Sequence, residues 1–110
     1  MILTAAVALM LAQAVEPVPV ANAAELPWTR RPQVEYPPRA LAIDASSGDI
    51  VVECGVGDEG ALSDCIVREE TPKDLGFGGA VLYGLREARL DTARWDQPRV
   101  AIRFRFRTAG

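Results

Sequence analysis

From Val100 to Arg107 the chain alternates without a break: Val100, Ile102, Phe104 and Phe106 are apolar, and Ala101, Arg103, Arg105 and Arg107 between them are small or cationic. A period of two belongs to a strand, so this segment is predicted to turn one face to a core and a charged face outward. The same period runs earlier, with Ile50, Val52, Cys54 and Val56 on one face and Asp49, Val51, Glu53 and Gly55 on the other. Gly57-Asp58-Glu59-Gly60 supplies a turn. A return strand then carries Leu62, Cys65 and Val67 until Pro72 stops it. Leu62 and Cys65 differ in parity, so a bulge near Ser63-Asp64 is needed to turn both inward.

Elsewhere the period changes. Phe77, Ala80, Val81, Leu85 and Ala88 make a stripe at helical spacing. Gly78, Gly79 and Gly84 are unfavourable within a helix, which implies a close approach of that helix to the sheet. Upstream, Tyr36-Pro37-Pro38-Arg39-Ala40-Leu41-Ala42 opens a short helix, because a proline in the first turn needs no N–H there. Asp44 to Gly48 closes it. Trp28–Tyr36 reads as a polar extended arm, and Pro17–Pro27 as an extended or disordered linker rich in Pro, Val and Ala. The order helix, strand, strand, helix, strand suits an antiparallel α+β sandwich with both helices on one face.

Met1–Ala14 is apolar and uncharged, with a core from Ile2 to Leu11. It is shorter than the roughly 20 residues a spanning helix needs, and Glu16, Pro17 and Pro19 interrupt it. Ala12-Gln13-Ala14 and Ala21-Asn22-Ala23 both fit the small-x-small cleavage pattern. Residues 1–23 are therefore expected to be a signal peptide, or an N-terminal hydrophobic segment with a short linker, and residues 24–110 the domain. No Lys or Arg precedes Ile2, so an uncleaved anchor is the rival reading.

Two cysteines allow one pairing. On facing strands of a hairpin, Cys54 and Cys65 are expected to form a disulfide, which belongs to an oxidising compartment. Closing that short loop adds about 2–3 kcal/mol; two buried free thiols are the alternative. The charge of −3 is uneven: residues 24–85 carry eleven acids and five bases (−6), residues 86–110 seven arginines and three acids (+4). Such blocks steer a charged partner or form ordinary solvated faces. A nucleic-acid partner is not expected, because the total is acidic and the arginine face of the last strand lacks stacking aromatics.

Reactive chemistry is sparse. The chain has no histidine, the commonest general base and metal ligand. The cysteine spacing is not that of a CxxC redox pair, and no soft ligands accompany the thiols. Gly76-x-Gly78-Gly79 lacks the lysine and hydroxyl of a phosphate loop. Asp58-Glu59 and Glu69-Glu70 occupy a turn and a strand end, where solvated carboxylates are ordinary. No catalytic residue, cofactor site or metal site is assigned, and the chain is not expected to be an enzyme. Trp28, Tyr36 and Trp95 either cap the core ends or form an aromatic binding cluster.

The residues resemble the C-terminal domain of the TonB energy-transducer family. The likeness rests on Arg31-Pro32-Gln33 with Tyr36-Pro37-x-x-Ala40, then Gly48-x-Ile50-x-Val52-x-Cys54-x-Val56. It continues through Gly60-x-Leu62-x-x-Cys65-x-Val67-x-x-Glu70-x-Pro72 and Gly76-Phe77-Gly78-x-Ala80-x-Leu82. Gln97-Pro98 and Val100-x-Ile102-x-Phe104-x-Phe106 complete it. Between Leu90 and Gln97 the chain departs from the family, with Asp91-Thr92-Ala93 and Trp95-Asp96 in place of proline-bearing turns.

The resemblance implies a three-stranded antiparallel sheet with two helices on one face. It also implies a periplasmic location and a peptide partner, the TonB box of an outer-membrane transporter, added as a strand beside the last one. By position, the binding residues would be Gln33, Tyr36 and Pro37 of the arm and Val100, Ile102, Arg103, Phe104, Arg105 and Phe106 of the final strand. Arg103, Arg105 and Arg107 would either attract an acidic segment or face solvent. The linker spans only about ten residues at about 3.3 Å each, so the fold carries over further than the energy-transducing role. The alternative is a stand-alone periplasmic accessory domain that binds another envelope component or forms a homodimer through the exposed edge strand. A membrane is expected only through an uncleaved N-terminus.

Overall fold

The computed structural model describes residues 18–108. In chain order the elements are β1 (Val20–Asn22), β2 (Trp28–Arg30), α1 (Pro38–Ala42), β3 (Ser47–Val56), β4 (Leu62–Thr71), α2 (Phe77–Gly84), β5 (Arg89–Leu90) and β6 (Arg99–Arg107). The two alternating segments pair with each other. β3 and β6 run antiparallel from Ser47↔Arg107 to Gly55↔Arg99, which sets Ile50 opposite Phe104, Val52 opposite Ile102 and Cys54 opposite Val100. These inward residues are almost wholly buried beneath α2.

β3 and β4 form the expected hairpin, and the expected bulge is present. Glu53 pairs with Ile66 and Gly55 with Ser63, so Asp64 and Cys65 together face Cys54. Asp64 takes up the extra residue with φ of 51°. Both sulfurs thereby reach the same face and join as the Cys54–Cys65 disulfide. A second bulge lies between the pairs Val51↔Glu69 and Val52↔Val67, leaving Arg68 as the extra residue. At the hairpin turn, Gly60 has φ of 79°, and a Cβ there would collide with the Leu90 carbonyl oxygen. Only glycine serves at that point.

The expected three-stranded antiparallel sheet becomes a four-stranded mixed one. Its order is β1-β6-β3-β4, with β1 parallel to β6 in the register Val20↔Ala101, Ala21↔Ile102 and Asn22↔Arg103. The segment read as linker therefore supplies a strand, and Leu26 just beyond it is buried. A second, two-stranded sheet joins β2 to β5. Nothing in the local pattern announces either addition, since three residues are too few to show a period.

α2 buries Phe77 and Val81, and the apolar stripe runs on through Leu85 and Ala88 in the turn beyond it. The inference from its glycines holds for one of the three. A Cβ on Gly78 would meet Glu70 and Val67 of β4, at 2.5 and 3.1 Å. Gly84 approaches the arm instead, where a Cβ would stand 2.6 Å from the Gln33 carbonyl oxygen, and a Cβ on Gly79 would meet nothing within 4 Å. Asp91 closes the divergent loop: its carbonyl accepts from the N–H groups of Arg94 and Trp95, and its carboxylate from that of Ala93. Among the described residues no helix is long and apolar enough to cross a membrane.

Candidate functional site

In the β-sheet the residues that matter to a partner are those with backbone groups left over. Val100 and Ile102 are fully buried, and Phe104 and Phe106 are 8 % exposed, so the side chains of all four belong to the core. They offer a partner their main chain, not their side chains. On one side β6 is paired along its length with β3; on the other, β1 pairs only with Ala101, Ile102 and Arg103. Among the described residues no strand lies against the outer edge of Phe104–Arg107. A strand edge of this kind is a template for an added strand.

Arg103 and Arg105 stand on the face away from the helices, both directed at Asp49 of β3, at 3.3 and 3.6 Å. Next along, the Glu53 carboxylate, only 10 % exposed, takes Arg99 at 2.6 Å and Arg68 at 2.9 Å. Acids on the central strand and arginines on both flanking strands make an ionic layer that covers Val51 and Ala101, each 3 % exposed. Arg107 is exposed and has no carboxylate within 4 Å among the described residues.

The arm residues gather elsewhere. Gln33 donates its backbone N–H to the Gly84 carbonyl at 3.2 Å, which ties it to the end of α2. Tyr36 meets Phe77 and Phe106 edge-on, with centroids 5.5 and 5.7 Å away, and its hydroxyl donates to the Ala45 carbonyl. Pro37 is buried. With Arg31, Tyr83 and Arg86, these three residues line a groove of about 970 Å³ between the arm and α2. Its rim carries Tyr83, 67 % exposed, with the Arg86 guanidinium 3.9 Å above the ring. The structure therefore divides the expected site into a groove and a strand edge, which meet at the Tyr36–Phe106 contact. Gln33 belongs to the groove alone.

Trp28 also serves the N-terminal segment. Its indole N–H donates to the Ala23 carbonyl at 2.7 Å, and the Asn22 amide donates to Glu25 at 3.1 Å. These bonds set the short helical turn Ala23–Glu25, which ends the extended pairing and lies beside β6. Sequence reasoning overlooked Val20, Ala21 and Asn22 as occupants of this edge. The two β-branched residues Val18 and Val20 are too few to show a strand period, and Ala21-Asn22-Ala23 also matches a cleavage pattern. Tyr83 was overlooked because a helix stripe marks the buried face and is silent about the opposite one, and Arg86 because it lies in the turn beyond α2.

No family model matches the chain, and no curated protein matches it in sequence. The fold is similar to the solution NMR structure of the Pseudomonas aeruginosa TonB CTD, with a TM-score of 0.59 and 18 % identity over 86 % of this chain and 98 % of that one. The fold is thus that of a TonB C-terminal domain.

Proposed function

We propose that the chain is a periplasmic, non-catalytic binding module that takes up an extended peptide by adding it as a strand to β6. A segment of the TonB-box kind, borne by an outer-membrane transporter, is the partner we assign, which links the module to TonB-dependent transport. One observation carries this reading: the outer edge of β6 accepts a strand from its own chain at Ala101–Arg103 and, among the described residues, pairs with no strand at Phe104–Arg107. Main-chain pairing along such an edge gives affinity without demanding particular side chains. The TonB-like fold and the disulfide, which suits an oxidising compartment, support it further.

A labelled TonB-box peptide followed by fluorescence anisotropy tests the proposal. Saturable binding is expected, and a peptide with alternate residues replaced by proline, which lacks the N–H groups for pairing, should not bind. Equal anisotropy changes with both peptides would reject strand addition.

A second reading, self-association, draws on the other edge of the sheet. β4 is unpaired along its outer side among the described residues and exposes Ile66 at 51 %. Its two bulges and the charges of Asp64, Arg68 and Glu69 work against edge-to-edge pairing. Concentration-dependent dimerisation in sedimentation, with no peptide response, is the outcome that would favour it.

A further inference from the structure

We propose that β1 is a placeholder strand: Val20–Asn22 holds the receiving edge of β6 and must leave before a longer segment can dock along it. This rests on the strand-addition reading and assigns the regulation of the same edge.

The strand is held lightly. It is three residues long, Val20 is 45 % exposed, Asn22 is exposed, and only Ala21 packs partly against the core. Pro19, the residue before it, has no N–H and cannot extend the ladder toward Val100. At its other end the turn Ala23–Glu25 breaks the extended backbone, so the pairing ends at Asn22↔Arg103, short of Phe104. The pairing is bounded on both sides, so it stays short.

The chain just beyond β1 is held firmly. Leu26 is 6 % exposed within the main core, and the Trp28 indole fixes the Ala23 carbonyl. Val20–Asn22 can therefore swing out about Ala23 while the core remains closed. The open edge of Phe104–Arg107 gives an incoming segment a place to begin pairing, from which it can extend along β6 and displace β1 residue by residue. A self-occupied edge also blunts unwanted pairing in the resting protein. Affinity for a partner is lowered by the fraction of molecules in which the edge is closed.

The test uses the full chain and two opposite changes. Val20→Pro with Ala21→Pro removes two of the strand's three N–H groups, and Pro19→Val adds one and lengthens the ladder. Hydrogen exchange of Ala101–Arg103 amides reads the strand directly, with β3–β4 amides as the control for an intact fold. The Val20→Pro/Ala21→Pro variant should exchange faster at Ala101–Arg103 alone, and Pro19→Val more slowly. A peptide of the chain's own sequence, Val18–Ala24, should bind the double-proline variant at that edge and bind the parent more weakly. A TonB-box peptide should bind the double-proline variant about tenfold tighter than the parent, and Pro19→Val more weakly than the parent.

Equal exchange at Ala101–Arg103 in parent and double-proline variant would overturn the placeholder. So would equal affinity of the TonB-box peptide for both, although strand addition itself would stand. If that peptide binds neither form, the strand-addition reading falls, and exchange rates with the Val18–Ala24 peptide still decide whether β1 closes the edge.

Discussion

Glu53 stands on the sheet face that alternation assigns to solvent, yet its carboxylate is 10 % exposed and lies between two guanidinium groups. Period alone places it on the correct side of the strand, opposite in direction to Cys54. It cannot reveal that Arg68 and Arg99, on the two neighbouring strands, close over it, because Arg68 reaches the acid through a bulge. Both arginines are more than 40 % exposed, so each bond is partly screened. Arg99→Ala is expected to lower stability by about 1–2 kcal/mol in urea denaturation. Removing Arg68 as well should lower it by more than the two single losses combined, since the carboxylate then has no cation left. Simple additivity would show that the two arginines act independently.

Gly60 is the residue where the turn could be read but its severity could not. Asp58-Glu59-Gly60 is an evident turn, whereas the Leu90 carbonyl pressing on Gly60 comes from a segment thirty residues away. Gly60→Ala meets both a left-handed φ and a backbone collision, and should lower stability by about 3 kcal/mol. A loss below half of that in the same denaturation assay would show that the turn shifts to make room.

Among the elements, those with a countable period were legible. β3, β4, β6 and both helices follow from alternation, helical stripe and prolines, and the bulge at Asp64 follows from the parity of Leu62 and Cys65. β1, β2 and β5 were not, because each has two or three residues and forms only when a distant strand is already in place. The same holds for the candidate site. The final strand was identified correctly as an element, but whether its edge is free depends on where Val20–Asn22 goes. The groove gathers Gln33, Tyr36 and Pro37 as the arm reading suggested, and adds Tyr83 from the outer face of α2 and Arg86 from the turn beyond it.

The disulfide belongs at this scale, since it staples β3 to β4 across the bulge. The cysteines are 11 residues apart, so replacing both with alanine should lower stability by about 3 kcal/mol and Tm by about 10–20 °C. A fall of only a few degrees on calorimetry would mean that the unfolded hairpin is already compact without the bond.

For the whole molecule, the proposed export would tie the position of cleavage to the sheet. Of the two small-x-small patterns, one ends at Ala14 and the other at Ala23. Cleavage after Ala23 would remove β1 and the carbonyl that Trp28 holds, whereas cleavage after Ala14 keeps both. Under the periplasmic role proposed above, a cleaved form is expected to begin at Val15. Intact-mass measurement of periplasmic material checks this, and a form beginning at Ala24 would show that the mature domain carries an open edge.

An NMR titration of the ¹⁵N-labelled full chain with a TonB-box peptide tests the central claim, that β6 receives an added strand, most directly. The expected result is saturable shifts concentrated in Phe104–Arg107 and spreading to Ala101–Arg103, while Val20–Asn22 amides move toward positions of an unpaired chain. Shifts confined to β4 or to the Tyr83–Arg86 groove, or a spectrum that does not change, would contradict it.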